Sequence, residues 1–543
     1  MVEVLKSTFE DYLPLIERSI KSADFVAIDT EFTGLEKSAK ERTNLFDTTE
    51  ERYQKLKSSM SEFTITQIGL SAYKKSDKNS YTATSFNFFL YPPIFGPLDT
   101  RFLVQASSFQ FLCKYDFDFN KFVYEGIPYL NKPQILTVEK YLHSKAMFQG
   151  KNRSNDVDED TLQALCSRVA EWLVKTEEDQ SAILEVADEE IPELRHVKSF
   201  ILRTELKQRF KNIWINVLDN EQRVVQISKL NETDKKGDNI TTDTKEDRER
   251  LLENLKGFTR VIKMLKGGVP IVGHNMLLDL LLMYDKFHKP LPDTCEEFKK
   301  NIQKMFPCVY DTKHMCNTNR HLFRDSGLLE NSSLGMLYKN LSSPAGQQFV
   351  IDAPSVVHAS DGYKDSNRPH EAGYDAYMSG FVFLRLAHIL TFLHVKSTEV
   401  RPCRFSRYMS ELKPYRNKIN VIRGSINHLC LDGPDPQSNR PDLLFVQSKH
   451  PSFQLHALQL VRWFSQHGTV DIQITDPRRA LVATSNYYCS NDILKAFRSH
   501  DKITVTKYNK WKHSPVFRRY IWAGAILSGG ACLLALLSSR KKN

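Results

Sequence analysis

Apolar and polar positions along the first part of the chain predict strands interleaved with helices. Residues 24–35, DFVAIDTEFTGL, form an apolar run that contains acids, which is typical of a buried strand leading into a turn. Similar patterns predict strands at 63–73 and 85–92 and helices at 251–266, at 275–287 and from about Glu371. We therefore expect an α/β fold with a mixed sheet, formed by residues 1–154 and 236–400.

Three other regions have patterns of their own. Residues 155–235 predict a small inserted domain. The segment 229–250 is charged and almost without large apolar residues, so it predicts a connection rather than core. Residues 441–508 alternate between strand and helix signals and predict a further α+β unit. A chain of 543 residues is expected to form several such units.

The C-terminal segment contains a long stretch without charge. Ile521 to Ser539 are nineteen uncharged residues, close to the ~20 that cross a bilayer core. Arg518 and Arg519 precede this stretch and Arg540 follows it. The pattern predicts a transmembrane helix at 521–539 that acts as a tail anchor and leaves the other domains in the cytosol. A buried core helix is the alternative.

Composition indicates the compartment and, weakly, the partner. The formal net charge of +10 mildly favours a polyanionic partner, and a solvated surface is the usual alternative. The nine cysteines are scattered without a CxxC pair. They argue against a disulfide framework and a zinc site and favour a reducing compartment.

The first candidate for chemistry is the pair Asp29 and Glu31 within the predicted strand VAIDTEF. Side chains two positions apart on a strand share a face, so these carboxylates can share a cation. Such triplets also arise by chance, as at Asp188/Glu190, Asp219/Glu221 and Asp247/Glu249. The first pair differs from these because it interrupts an apolar strand, where unpaired charge is costly and a metal ion is the expected compensation.

Further acids and histidines follow downstream. Asp279 lies among leucines on a predicted helix, where an exposed amphipathic face is the alternative to a site. His370 stands five positions before Asp375 at the start of a strongly apolar helix. His274 and Asn275 open the helix of Asp279 and are candidates to orient a substrate, with helix capping the alternative for Asn275.

These residue types suit phosphodiester hydrolysis. Two cations ~3.5–4 Å apart can stabilise both the attacking and the leaving oxygen. Carboxylate oxygens are the ligands that Mg²⁺ prefers, with Mn²⁺ an alternative ion. The candidate metal ligands are Asp29, Glu31, Asp279 and Asp375. His370, with an unperturbed pKa of about 6.5, is suited to take a proton from the attacking water.

The order of these motifs resembles that of the DEDD exonuclease superfamily, in particular its histidine-bearing branch. At DFVAIDTEFTGL, GHNMLLDLLLMYDKFHKPLPD and HEAGYDAYMSG the sequence is similar to the poly(A)-specific ribonucleases of the CAF1 group. The resemblance implies an RNase H-like 3′→5′ exoribonuclease core that uses two Mg²⁺ ions on RNA 3′ ends. It further implies that 155–235 is a nucleic-acid-binding insertion of the arginine/histidine-motif class and that 441–508 is a divergent RRM-like domain.

The predicted C-terminal anchor departs from those ribonucleases and is similar to the PARN-like branch that trims piRNA precursors. That resemblance implies PIWI proteins carrying precursors and a Tudor-domain scaffold as partners. It implies the mitochondrial outer membrane as location, with the endoplasmic reticulum as alternative, and it leaves a homodimer open. A membrane-tethered poly(A) deadenylase and an inactive RNA-binding scaffold are the two other hypotheses.

The resemblance also implies contacts to the 3′-terminal nucleotides at matching positions. These positions are Phe32, Leu35, Asn275 and Lys313. For Phe32 and Leu35 the alternative is core packing, and for Lys313 it is an ordinary surface charge.

Overall fold

The structure of the protein, a computed structural model, comprises two compact units. The structure describes residues 1–77, 79–143, 159–176, 182–187, 205–207, 209–210, 213–218, 224–229, 245–323, 331–344, 346, 352–359, 368–395, 403–438 and 440–513. The first unit comprises Met1–Ala39 and Lys57–Ile419, and the second comprises Lys40–Leu56 and the described residues from Asn420 onward. The sequence did not indicate that Lys40–Leu56 groups with the C-terminal unit.

The described strands are numbered in chain order. They are β1 Val2–Val4, β2 Phe25–Phe32, β3 Ile65–Asp77, β4 Ser80–Phe89, β5 Ile183–Ala187, β6 Ile213–Leu218, β7 Val224–Lys229, β8 Ile271–Gly273, β9 Val309–Asp311, β10 Ser355–His358, β11 Lys418–Asn420, β12 His428–Cys430, β13 Leu444–Ser448, β14 Val470–Asp476, β15 Arg479–Thr484 and β16 Ile503–Lys507.

The described α-helices are identified by their bounds. They are Phe9–Ser22, Thr49–Met60, Ala106–Lys114, Phe119–Tyr124, Lys132–His143, Glu159–Lys175, Lys245–Lys256, Thr259–Leu265, Leu277–Phe287, Cys295–Met305, Thr312–Thr318, Leu334–Ser342, Ala372–Val395, Phe405–Glu411, Ala457–Phe464, Tyr487–Ala496 and Lys510–His513. Short 3-10 helices lie at Arg320–Phe323, Lys413–Tyr415 and Ser465–His467.

A mixed sheet forms the centre of the first unit, as the sequence predicted. Its strands follow the order β1-β4-β3-β2-β8-β9-β11, with β10 paired to β4. β2, β3 and β4 are antiparallel neighbours, whereas β8 runs parallel to β2 and β9 parallel to β8. β2 therefore lies in the middle of the sheet. The first four residues of β2 are all buried, which explains why its sequence begins with a continuous apolar run.

The helix Ala372–Val395 lies against β2, β3 and β4. It is apolar on nearly all sides because almost all of its described side chains are buried. Two glycines allow it to lie close to its neighbours. A Cβ atom at Gly69 of β3 would lie 1.8 Å from the carbonyl oxygen of Ala372, and one at Gly380 would lie 2.1 Å from the ring of Tyr73.

Two predicted helices differ from those observed. The helix predicted at 251–266 is divided into Lys245–Lys256 and Thr259–Leu265, because Gly257 adopts a φ of +37° between them. Its Cβ would lie 2.2 Å from the carbonyl oxygen of Pro128, so only glycine fits this approach. The helix predicted at 275–287 begins at Leu277, because Asn275 adopts a φ of +63°.

Within 155–235, the described residues form a small core of their own. The antiparallel strands β5, β7 and β6 pair in that order, and the helix Glu159–Lys175 packs with them. The buried apolar side chains are Leu162, Leu165, Val169, Val186, Leu206, Ile213, Ile215 and Ile227. The assignment of this segment to the arginine/histidine-motif class stays a prediction.

The second unit contains a four-stranded antiparallel sheet in the order β14-β15-β13-β16. With the helices Ala457–Phe464 and Tyr487–Ala496, its elements follow the chain order βαββαβ, which is a ferredoxin-like arrangement. The segment Lys40–Leu56 is tied to this unit, since the backbone N–H of Leu45 donates to Asp471 at 2.7 Å. The RRM-like assignment of 441–508 stays a prediction.

The predicted transmembrane helix requires a correction to the fold class and to the location. Among the described residues, which end at His513, no helix is sufficiently long and apolar to span a bilayer. The predicted segment 521–539 lies outside the described residues. The uncharged run was therefore insufficient evidence, and the tail anchor and the two membrane locations derived from it are withdrawn.

Gly69 provides a test of the close packing between the sheet and the helix Ala372–Val395. We expect Gly69→Ala to lower the free energy of unfolding by about 1–3 kcal/mol, since its methyl group would overlap the Ala372 carbonyl. Gly335→Ala is the matched control, because a Cβ there meets no atom within 4 Å and the residue lies in a helix. The control should be neutral or slightly stabilising. Urea denaturation measures both, and equal stability of Gly69→Ala and wild type would contradict the packing.

Candidate active site

The central strand β2 presents Asp29 and Glu31 on one face. In the antiparallel pairing with β3, Asp29 is opposite Gly69 and Glu31 is opposite Gln67. The register shifts between Glu31 and Phe32, so the regular pairing is interrupted directly after the second acid. Both acidic side chains are half-buried.

Asp279 is tied directly to this strand. It lies in the first turn of the helix Leu277–Phe287 and is only 8% exposed. The hydroxyl of Thr30 donates a hydrogen bond to its Oδ1 atom at 2.5 Å. The alternative of a solvent-facing acid on an amphipathic helix is therefore wrong, because the helix is buried on the side that carries Asp279.

A buried carboxylate that the sequence analysis missed orders the loop before this helix. Asp311, fully buried, accepts the backbone N–H groups of Asn275 and Lys313 at 2.9 Å each. It also caps the helix Thr312–Thr318. An aspartate between a short apolar run and a helical pattern is the signal that could have identified this residue.

Asp375 and His370 lie at the start of the helix Ala372–Val395. Asp375 is in the first turn and is 8% exposed. Its Oδ1 atom accepts the backbone N–H of His370 at 3.3 Å. His370 has a φ of +67°, which is uncommon for a residue other than glycine and is characteristic of functional sites.

Two buried amide side chains hold this helix start against the sheet. The backbone N–H of Ala372 donates to Gln67 Oε1, and that of Gly373 donates to Asn87 Oδ1, both at 3.0 Å. The first N–H groups of a helix have no partner within the helix, so these contacts satisfy them. The sequence analysis missed both amides. The apolar pattern of a strand, here β3 for Gln67 and β4 for Asn87, does not indicate which helix packs against that strand.

The acids and the histidine converge. Ligand atoms of Glu31, His370 and Asp375 all lie within 4.8 Å of one another, and among the described residues they form a group that could hold a metal ion. Asp29 and Asp279 adjoin it, since the charges of Asp279 and Asp375 raise the pKa of Asp29. The structure thus brings together the five residues that the sequence motifs predicted, which are Asp29, Glu31, Asp279, His370 and Asp375.

Burial and mutual repulsion govern the charges of these acids. Burial raises the pKa of both Asp29 and Glu31 well above the usual range, and the neighbouring carboxylates raise it further. Burial also raises the pKa of Asp279 to about 6 and that of Asp375 to about 7. Carboxylates crowded in this way ionise together at neutral pH only beside a cation, and a set of hard oxygen donors fits Mg²⁺.

The environment of His370 favours the neutral imidazole. Burial, followed by the positive charge of Lys114, lowers its pKa. A neutral imidazole can accept a proton, which is what a general base requires. Its ring centroid lies 4.1 Å from that of Tyr115 and 4.8 Å from that of Phe111.

The four predicted substrate contacts lie on three segments of the chain. Phe32 is half-buried at the end of β2, and Leu35 is 47% exposed, with its N–H donating to Gln105 Oε1 at 2.8 Å. Asn275 and Lys313 are half-buried and are joined through Asp311. Their role as substrate contacts stays a prediction.

His274 contacts residues that support the fold next to the site. Its Nδ1 atom lies 2.9 Å from the hydroxyl of Thr312, which donates to the carbonyl oxygen of Gly273 at 3.1 Å. Burial lowers the pKa of His274 to about 3, so the ring is neutral. This histidine therefore supports the loop before the helix of Asp279.

The chain is similar to several known ribonucleases. A family model described as "CAF1 family ribonuclease" matches residues 4–383. The chain is 34% identical to "Poly(A)-specific ribonuclease PNLDC1" of Mus musculus over 99% of both chains. It is 32% identical to "Pre-piRNA 3'-exonuclease trimmer" of Bombyx mori over 98% of both chains. It is 31% identical to "Poly(A)-specific ribonuclease PARN" of Xenopus laevis, over 89% of this chain and 77% of that one.

Among solved structures, one described as "Structure of S. pombe Pop2p - Mg2+ and Mn2+ bound form" matches with a TM-score of 0.34 and 16% identity. It covers 73% of this chain and 95% of the Pop2p chain.

The raised carboxylate pKa values predict how pH affects the metal-free protein. The usual pKa of an aspartate is 3.8, whereas burial raises the pKa of Asp279 to about 6 and that of Asp375 to about 7. At pH values between these limits, the folded state therefore binds more protons than the unfolded state. The free energy of unfolding should therefore decrease as pH rises through that window. Asp375→Asn should reduce this slope and stabilise the chelator-treated protein at about pH 8, because its amide carries no charge.

Urea denaturation at a series of pH values, in the presence of chelator, measures this effect. Asp99→Asn, at an exposed acid outside the site, is the control and should leave the profile unchanged. A metal-free protein whose stability rises from about pH 4 to pH 7 would contradict the repulsion described above.

Proposed function

Since the chain belongs to the CAF1 family of ribonucleases and is a 3′→5′ exoribonuclease, we propose that it trims the 3′ ends of PIWI-bound piRNA precursors. The family and the enzyme class predicted from the three motifs are confirmed. One observation supports the finer substrate, namely the end-to-end similarity to the pre-piRNA 3′-exonuclease trimmer of Bombyx mori.

We propose that the four acids hold two Mg²⁺ ions, with Mn²⁺ as an alternative. The acids are Asp29, Glu31, Asp279 and Asp375. When bound, the cations supply positive charge to the attacking and leaving oxygens of the phosphodiester. The support for this is the convergence of hard oxygen donors whose burial and mutual repulsion a divalent cation would relieve.

In this proposal His370 takes the proton from the attacking water. The imidazole lies within 4.8 Å of the ligand atoms of Glu31 and Asp375, so a water held by these acids would be within its reach. Its lowered pKa keeps it ready to accept that proton at neutral pH. The hydrogen bond from its backbone N–H to Asp375 fixes its position relative to the acids.

The terminal nucleotide would be recognised beside the end of β2. Glu31 and the backbone near Phe32 are proposed to contact the 2′- and 3′-hydroxyls, at the point where the register shift interrupts regular strand pairing. Leu35, Asn275 and Lys313 would contact the adjoining nucleotides. An exposed apolar side chain such as Leu35 offers a surface for a base.

A poly(A) deadenylase is the second candidate, because several relatives are named poly(A)-specific ribonucleases. The two functions use the same chemistry and differ only in the RNA that reaches the site. PIWI proteins and a Tudor-domain scaffold are proposed as partners for the first candidate. The third hypothesis, an inactive scaffold, is set aside because the enzyme class is shown and the acidic set is complete.

The metal proposal predicts that activity needs Mg²⁺ or Mn²⁺ and is lost with chelator. Asp29→Asn, Glu31→Gln, Asp279→Asn and Asp375→Asn should each lower the rate of RNA hydrolysis about a thousandfold or more. Circular dichroism should show that the variants stay folded. Asp99→Asn is the matched control and should retain full activity. Retention of more than about a tenth of the wild-type rate by any two of the four variants would refute the assignment.

The substrate proposal is tested with 5′-labelled RNAs, with and without a loaded PIWI protein and scaffold. We expect stepwise shortening from the 3′ end to a length set by the footprint of the PIWI protein. A 2′-O-methylated terminal ribose should resist, because the methyl group removes a donor and adds bulk. Strict dependence on an adenosine tail would favour the deadenylase, and internal cleavage would exclude the proposed trimming.

A further inference from the structure

Three aromatic rings meet beside the metal-ligand group. The ring centroids of Tyr115 and His370 are 4.1 Å apart, and those of Phe111 and His370 are 4.8 Å apart. Phe111 and Tyr115 are in turn 5.0 Å apart, so each ring contacts the other two. These spacings and the tilted planes are those of favourable aromatic contacts. The imidazole therefore rests against a surface formed by a different segment of the chain.

Such a surface can orient His370, because the backbone alone does not select one orientation of the ring. The hydrogen bond from its N–H to Asp375 and its φ of +67° determine where the side chain begins. Neither selects a single combination of χ1 and χ2, and these angles decide where the two ring nitrogens point. Contact with Tyr115 can supply that restriction.

Tyr115 is itself held in place. It follows the helix Ala106–Lys114, and its backbone N–H donates to the carbonyl oxygen of Leu112 at 3.0 Å. The ammonium group of Lys114 lies 5.5 Å from the centroid of the Tyr115 ring, which permits a cation–π contact on that ring.

The other end of this helix is joined to the loop that follows the strand with the first two acids. The backbone N–H of Gln105 donates to the carbonyl oxygen of Thr33 at 2.8 Å. The Oε1 atom of Gln105 accepts the N–H of Leu35 at 2.8 Å. One short helix therefore connects the loop after β2 with His370, so the two sides of the site are held at a defined separation.

We infer that Tyr115 is a positioning residue, whose ring holds the His370 imidazole in the orientation that hydrolysis requires. The inference rests on the role proposed above for His370. Tyr115 acts through the histidine and has no part in binding metal. Since the observed contact joins ring to ring, the aromatic ring is the part of the side chain that matters.

The experiment compares steady-state hydrolysis of a 5′-labelled RNA with a free 3′-hydroxyl, in Mg²⁺. Tyr115→Ala should lower kcat about tenfold to a hundredfold, with KM changed less than about twofold, because the base is misplaced while the substrate still binds. Tyr115→Phe keeps the ring and should restore kcat. Tyr124→Ala is the matched control, because Tyr124 is 67% exposed on the neighbouring helix Phe119–Tyr124 and should be silent.

A double variant separates positioning from general damage to the fold. If Tyr115 acts through His370, then Tyr115→Ala should cause no further loss in a His370→Ala background. A purely structural defect would slow that background as well. Thermal unfolding identifies misfolded variants, and Tyr115→Leu, which fills the space without an aromatic ring, replaces the alanine variant if that one does not fold.

The outcomes distinguish a failure of the inference about Tyr115 from a failure of the role proposed for His370. Wild-type kcat in a folded Tyr115→Ala or Tyr115→Leu protein would overturn the inference and leave the proposed function intact. Additive losses in the double variant would also overturn it. Full activity of His370→Ala would instead refute the role proposed for the histidine.

Discussion

Four carboxylates, two of them buried and two half-buried, lie in one place and repel one another when ionised, and the site in the first unit depends on overcoming that repulsion. Burial alone raises the pKa of each acid, and the charges of neighbouring acids raise those of Asp29 and Glu31 further. A chain left to minimise this energy would move the acids apart. They stay together because each belongs to an element whose position other contacts determine, and a divalent cation is the partner that would stabilise the arrangement.

The contacts that hold the acids are few and buried. Thr30 ties the helix of Asp279 to β2, while Gln67 and Asn87 anchor the helix that carries Asp375. Gly69 lets that helix approach β3 closely enough for these hydrogen bonds to form. Two residues beside the acids, Asn275 and His370, have positive φ angles. Such backbone conformations persist only where the surrounding structure enforces them, and here they accompany the site.

The parts of the chain outside the site have independent cores. The described residues of the 155–235 segment pack around one small cluster, and the βαββαβ sheet of the second unit packs around another. In the second unit the ring of Phe445 stacks on that of His513, with centroids 4.2 Å apart. The CAF1 match covers residues 4–383, which lie mostly in the first unit, whereas the proposed substrate rests on a similarity that extends over 98% of the chain.

Sequence alone identified the residues that are proposed to carry the chemistry. Asp29, Glu31 and Asp279 were predicted because acids within apolar elements are costly and therefore stand out in a single sequence. His370 and Asp375 were predicted because the order of the motifs resembles that of the DEDD exonucleases. The central sheet was also predictable, since strand periodicity is a local property. Hydropathy of 521–539 suggested a membrane span as well, which no helix among residues up to His513 supports.

Only the tertiary structure decided how the acids are held. Asp311, Gln67, Asn87 and Tyr115 act through contacts with residues distant in the chain. Packing also decides that Lys40–Leu56 belongs to the second unit and that the helix predicted at 251–266 is interrupted at Gly257. Periodicity and composition report on the environment of one element at a time. The pairing of a strand amide with a particular helix N-terminus depends on the folded arrangement of both, which is why the sequence did not reveal it.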